Sequence, residues 1–270
     1  MLCIDLSELG LAPLPVLIGI LFFGQSFLVY VIAVIKQDVD PVLPYLSSAA
    51  DHRPQSCIFS IGTNISSVLL AFLVYVRYNQ IKGILEQAGH DGIVMTVNYR
   101  SKWFGYASAF GMFIVANVQE TAIIPVHMTA AVVAFGGFNV FMILQCYVTH
   151  RLTPDITLHQ VLYYRLVCTG IGCASFLIAI IYGILASHTY HQTYPDLPTP
   201  RPWNRHFYQP GYGYHQVSAA AEWICAISQI FFMQSFGPEF EEIFMEYGLR
   251  SEYIYRNTYE YDWFFSNNRR

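Results

Sequence analysis

Apolar residues gather into six long runs separated by shorter charged segments. The first runs from Leu11 to Ile35 and holds no charge. The second is Cys57 to Val76, closed by Arg77 and Tyr78. The third, Trp103 to Asn117, is short and stands behind Arg100 and Lys102. The fourth is Thr121 to Thr149, followed by His150 and Arg151. The fifth is Leu166 to Ser187, opened by Arg165. The sixth is Val217 to Phe236, the least hydrophobic, with Glu222 inside it. A helix crossing about 30 Å of hydrocarbon needs roughly 20 mostly apolar residues, and the runs are of that order. They are continuous, with none of the period-2 alternation of a membrane β-barrel. The pattern predicts an all-α polytopic membrane protein, a six-transmembrane-helix bundle over residues 1–240, then an acidic Tyr-rich tail over residues 241–270. The turn between runs three and four, near Val118 to Thr121, is short enough to make those helices an antiparallel hairpin. No internal repeat or pair of broken segments suggests an inverted-repeat transporter.

Composition supports this. Apolar types make up 54% of the chain and charged types 12%, about half the share in an average soluble domain. Mean hydropathy is +0.38. These values argue against a soluble enzyme or a disordered chain, and name the lipid bilayer as the first partner. A net charge of −4 gives no basic footprint for nucleic acid. The N-terminus carries Asp5 and Glu8 where a signal peptide is basic, so the first run is expected to be a retained span. With the N-terminus in the cytosol, ten Lys and Arg residues fall on the cytosolic side and four (Lys36, Arg53, Arg201, Arg205) opposite. The positive-inside rule then predicts both termini in the cytosol. Two large exoplasmic loops follow, Lys36 to Ser56 and His188 to Gln216, the second rich in proline. His52, His188, His191, His206 and His215 would face that compartment. In an acidified lumen such side chains gain charge, which would tie loop conformation to pH.

The chemistry-bearing residues are few. Ionisable groups at membrane depth are costly unless paired, which singles out Glu120, His127 and Glu222, all in the exoplasmic half. Asn64, Asn117 and Gln119 map nearby. Two carboxylates and an imidazole at one depth suit a cation, a proton or a lipid headgroup, or else they fasten helices together. Of the six cysteines, Cys146 and Cys168 near the cytosolic ends read either as palmitoylation sites or as small buried apolar residues. Gly105 with Ala109, Gly136 with Gly137, and Gly170 with Ala174 read as close helix contacts. In the tail, Phe240, Ile243, Phe244 and Tyr247 fall at helical spacing with Glu239, Glu241, Glu242 and Glu246 between them. They predict a cytosolic extension of the sixth helix. Tyr261 and Phe264 match a tyrosine-based endocytic and lysosomal sorting pattern. No GxSxG, HExxH, P-loop or GxGxxG appears, so no catalytic, cofactor or metal set is assigned.

Three segments together carry a resemblance. They are "LPYLSSAADHRPQSCIF" leading into "NISSVLLAFLVYVRY", "FGMFIVANVQE" with His127 downstream and "LQCYVTHRL" beyond it, and the pair Glu222-Trp223. In this order, over roughly residues 14 to 240, the chain resembles the DRAM family, the damage-regulated autophagy modulators. Their wider group includes plasma-membrane regulators of phosphatidylinositol 4-kinase and a factor for lipid remodelling of GPI anchors. The resemblance implies a six-span, non-enzymatic protein of lysosomal or other endomembranes that promotes autophagy, linked in some members to apoptosis. It extends to Pro44, Tyr45, Cys57, Asn64, Arg77, Tyr78, Gly111, Asn117, Gln119, Glu120, His127, Glu222 and Trp223. It leaves open the plasma membrane as location, phosphoinositide headgroups and unidentified proteins as partners, and a proton-coupled transporter or channel as a rival activity. The segment before Cys57, the Pro-rich loop and the Tyr-rich tail depart from the family pattern.

Overall fold

The computed structural model describes residues 10–88, 92–154, 156–200, 208–241 and 243, and all regular structure among them is helical. The helices are α1 (Pro13–Ile35), α2 (Gln55–Ala88), α3 (Gly92–Asn117), α4 (Ile124–Arg151), α5 (His159–Thr193), α6 (Tyr212–Gln234) and the single turn α7 (Gly237–Phe240). A 3-10 turn, Ser48–Ala50, interrupts the segment between α1 and α2. Prolines open α1 and α4, where the missing N–H costs nothing.

Five segments are long and apolar enough to cross a membrane: Pro13–Ile35, Gln55–Ala88, Ile124–Arg151, His159–Thr193 and Tyr212–Phe240. The sequence predicts six. The shortfall is α3, whose first half carries Asn98, Arg100, Ser101 and Lys102. The outward faces are apolar. Ile20, Phe27, Ile61, Val68, Val132, Leu177 and Ile181 are exposed, and so are Trp103, Phe110 and Phe113 on α3. Apolar patches of this extent are rare on proteins that face water.

Successive helices run antiparallel. Asn98 Nδ2 donates to the Tyr78 carbonyl at 3.0 Å while Asn64 pairs with Asn117 at the other end of α2 and α3. Ser108 Oγ reaches the Ala134 carbonyl, and Gln145 reaches Ser101. Arg165 on α5 meets Thr149 on α4. Ser218 on α6 meets Ala179 on α5. The start of α1 and the end of α6 share one end of the bundle, called the lower end, where Leu11 N–H donates to the Ile243 carbonyl at 3.1 Å. The core between the helices is built from Leu14, Ile18, Leu70, Leu73, Phe138, Phe141, Met142, Phe232, Phe236 and Phe240.

Several boundaries differ from the sequence reading. The segment read as a cytosolic loop after Arg77 continues as helix to Ala88, and α3 begins at Gly92 rather than Trp103. Ile81 and Leu85 pack there against Val94, Val148 and Leu152, so a small core beyond the long apolar runs extends the helices. His188 and His191 lie on α5, and His215 is buried on α6, so these three are not loop residues. Helix α6 stops at Gln234 and the single turn α7 follows after Ser235 and Phe236, so the predicted extension of the sixth helix is present as far as Phe240 but interrupted. Phe240 is fully buried and Ile243 packs on the core, while Phe244, Tyr247, Glu242 and Glu246 lie outside the described residues. Cys146 and Cys168 are buried, which fits small apolar filling and not acylation. Gly170 faces open space, which corrects its reading as a contact. Gly211 takes a left-handed φ of 86°, and a Cβ there would sit 2.3 Å from the Ala186 carbonyl oxygen. Glycine is required for both reasons.

Candidate functional site

At the upper end, the segment after α1 turns back over the bundle and is held by groups the sequence reading singled out. Trp223 Nε1 donates to the Pro44 carbonyl at 2.8 Å. The Leu46 N–H donates to Glu222 Oε1 at 3.2 Å. Tyr45 donates through its hydroxyl to Ser218 Oγ at 2.6 Å. Next along the chain, Ser48 Oγ donates to Glu120 Oε2 at 2.6 Å, and Asp51 accepts from the Thr121 N–H and hydroxyl. Tyr212 at the start of α6 donates to Asp40. Residues 40–51 thus form a clasp fastened by α6 on one side and the α3–α4 turn on the other. The Pro44-Tyr45 and Glu222-Trp223 pairs, separate in sequence, are two halves of one attachment.

Beneath the clasp lies a cavity of about 340 Å³. Glu120, His127 and Glu222 line its upper part with Tyr45 and Ser218, and Phe138, Phe176 and Met233 line its depth. Glu120 and His127 are each only 2% exposed. His127 Nδ1 lies 2.6 Å from the Val118 carbonyl. A carbonyl can only accept, so Nδ1 carries the hydrogen and Nε2, in the neutral ring, is an acceptor. Nε2 is buried without a hydrogen-bond partner. Glu120 and His127 also border a second space reaching Arg53 and Cys57.

The predicted polar group therefore divides. Glu120, His127 and Glu222 share one cavity. Asn64 and Asn117 exchange side-chain hydrogen bonds of 3.1 and 2.8 Å with each other and tie α2 to α3 instead. Gln119 is exposed, its carbonyl accepting from the Ala122 N–H. Cys57 is an exposed free thiol on α2, away from Tyr45 and its partners. Tyr261 and Phe264 lie outside the described residues.

The lower end holds a site the sequence reading saw only in part. Arg77 and Arg165, read as flanking charges, are 1% and 0% exposed. Both pair with Glu239 on α7, Arg165 Nη2 at 2.8 Å and Arg77 through Nη1. Arg77 Nε donates to Gln145 at 3.0 Å, and Arg165 donates to Thr149 and Ser235, each at 2.8 Å. The Phe236 ring lies 4.7 Å from one guanidinium carbon and 4.6 Å from the other. Buried ions cost several kcal/mol each unless paired and hydrogen-bonded; this network pairs both guanidiniums with Glu239 across α2, α4, α5, the α6–α7 link and α7, and of the six guanidinium nitrogens Arg77 Nη2 is the one buried without a hydrogen-bond partner. Tyr78 lies outside it, its ring 4.1 Å from Lys102 Nζ. Glu239 was missed because its neighbours in sequence are acidic. The available signal was Gly237-Pro238, which follows the end of α6 and opens the short turn that carries Glu239.

Among the described residues no three His, Cys, Asp or Glu side chains are gathered closely enough to hold a metal ion. The chain is 29% identical to human DNA damage-regulated autophagy modulator protein 2 over 237 residues, 87% of this chain and 85% of that protein. It is 31% identical to human DNA damage-regulated autophagy modulator protein 1, over 87% of this chain and 92% of that one. A shorter match, 31% over 146 residues, links it to the zebrafish modulator of macroautophagy TMEM150B, covering 53% of this chain and 60% of that protein. No solved structure is significantly similar to it. The domain described as Frag1/DRAM/Sfk1/Cwh43P N-terminal matches residues 10–243, which takes in the clasp, the cavity and the buried arginines, and the chain belongs to that family.

Proposed function

We propose that this chain is a non-enzymatic, multi-pass membrane regulator of autophagy, acting at the lysosome or a related endomembrane, with an input to apoptosis. The carrying observation is the likeness to human autophagy modulators over 87% of the chain. In this reading the chain crosses the bilayer six times with both termini in the cytosol. The sixth crossing is α3, which runs between α2 and α4 with an apolar outward face over Trp103, Phe110 and Phe113. The lower end is cytosolic, where the Lys and Arg residues concentrate. The clasp and its acids close the luminal side, the buried arginines fix the cytosolic side, and the tail beyond residue 243 is offered to cytosolic partners.

Two measurements test this. Fluorescence of the endogenous protein against lysosomal and cell-surface markers is expected to follow the lysosome. Loss of the gene is expected to change autophagic flux. A signal confined to the cell surface and unmoved by deleting Tyr261 to Phe264 would favour regulation of phosphoinositide synthesis at the plasma membrane.

A further inference from the structure

The 340 Å³ cavity is within the size range of small-molecule sites, about 300–1,000 Å³, and its shape and chemistry are those of a lipid site. Along α4 it extends from His127 to Phe138 and along α5 from Phe176 to Ser187. At 1.5 Å per residue each stretch is about 16 Å, the thickness of one leaflet's hydrocarbon, about 15 Å. Its ionisable side chains, Glu120, His127 and Glu222, sit at the upper end. Deeper, Ser108 Oγ and Gln229 Nε2 donate to the Ala134 and Phe135 carbonyls, so the lower part presents mainly apolar surface.

Part of the cavity wall between α4 and α5 is also exposed surface. The hydrogen bonds joining α4 to α5, Asn139 to Gly172, Cys146 to Thr169 and Arg165 to Thr149, all lie toward the lower end. Above them Met128, Val132 and Ile184 line the cavity and are also 40%, 47% and 65% exposed on the outer surface. The α4–α5 seam is therefore the side from which a chain would enter out of the upper leaflet without crossing water.

The polar end accepts rather than donates. Glu120 and Glu222 are carboxylates already receiving bonds from Ser48 and Leu46. His127 Nε2 is a buried acceptor with no partner. Among the described residues no lysine or arginine lines the cavity. Such a site suits a head that donates hydrogen bonds and carries positive charge, and disfavours a phosphate or carboxylate head. We propose that the cavity binds a single-chain lipid with an ammonium head, of the long-chain amino-alcohol type, its head at Glu222, Glu120 and His127 and its chain running down toward Phe138 and Met233. This rests on the bilayer reading of the helices and not on the role in autophagy.

The test uses the full-length protein in phosphatidylcholine nanodiscs and a C18 amino alcohol carrying a photoactivatable diazirine at the chain end. Crosslinks are expected on the cavity-facing stretch from Phe135 to Phe138 or on Ile230 and Met233. Unlabelled sphinganine is expected to compete at a concentration at least about tenfold below stearic acid or monostearoylglycerol, the scale of one charge-assisted hydrogen bond. Glu222→Gln is expected to weaken binding about tenfold on the same ground. Ala131→Phe, which narrows the cavity without touching the acids, is expected to cut labelling, with thermal melts confirming that both variants fold. Equal competition by stearic acid or by the glycerol ester overturns the proposal. So do crosslinks confined to outward residues such as Leu177 and Phe231, or labelling that survives Ala131→Phe in folded protein. An unchanged autophagic flux leaves these outcomes intact, so the two readings fail separately.

Discussion

Glu239 is a single carboxylate serving two guanidinium groups, both fully enclosed. Removing its charge leaves two like charges side by side next to the Phe236 ring. Breaking a buried ion pair from one side costs about 3–5 kcal/mol. Glu239→Gln preserves the shape and is expected to destabilise by that amount in denaturant unfolding in mixed micelles. A loss of less than about 1 kcal/mol, the worth of an exposed pair, would show that the cluster is solvated. Part of this site was legible in sequence, since Arg77 and Arg165 stand at the edges of apolar runs and need a partner. The partner was not, because a carboxylate's direction depends on where α6 ends, and one turn of helix decides it. The same holds at the upper end. His127 and Glu222 were readable as polar residues in apolar runs and Glu120 as an acid at the turn between two of them, but the link of this end to Pro44, Tyr45 and Leu46 depends on a segment without periodicity folding back over the bundle. His127 Nε2 became informative only once the Val118 carbonyl had fixed the position of the ring hydrogen.

Helix packing carries its own test. A Cβ at Gly111 would lie 2.7 Å from the Ala134 nitrogen and 2.8 Å from the Ala130 oxygen. Those are backbone atoms of α4 and cannot step aside without moving the helix. A Cβ at Gly105 would meet the side-chain methyl groups of Val74 at 2.6 and 2.9 Å, and side chains can rotate. Gly111→Ala is therefore expected to destabilise by about 1–3 kcal/mol, the usual cost of overpacking, and by more than Gly105→Ala. Gly170→Ala, into open space, is expected to be neutral or slightly stabilising because alanine favours the helix. Thermal unfolding of the three variants in one detergent ranks them, and a Gly170→Ala loss matching that of Gly111→Ala would contradict the α3–α4 contact. The long helices themselves were legible because a continuous apolar run has no other stable form in a bilayer. Their ends were not. Residues 77–88 and 92–102 carry enough charge to read as a loop, yet Ile81 and Leu85 fall at helical spacing on α2 and, with Val94 of α3, bury against α4.

For the whole molecule, the question is which end faces which compartment, and the thiols already present supply most of the measurement. Cys57 is exposed at the upper end, while Cys146, Cys168 and Cys225 are buried and Cys173 is partly covered. In a Cys3→Ser background, a membrane-impermeant maleimide therefore reads mainly the upper end. Adding Gln87→Cys, exposed near the end of α2, reports the lower end, and Gln119→Cys, exposed in the α3–α4 turn, reports the far end of α3. If the lower end is cytosolic, opening the plasma membrane alone exposes Gln87→Cys, whereas Cys57 and Gln119→Cys react only after the organelle membrane is also opened. The Gln119→Cys arm decides the sixth crossing. Helix α3 is too polar in its first half to qualify by composition, but it lies antiparallel between two helices that do qualify. If α2 and α4 both cross, the chain can join them only by returning through the bilayer along α3. The polar half of α3 is then shielded by its neighbours, with Asn98 and Ser101 fully buried and Gln145 of α4 donating to Ser101 Oγ at 2.8 Å. Labelling of Gln119→Cys together with Gln87→Cys would show that α3 does not cross, and the clasp could then no longer lie on the luminal side.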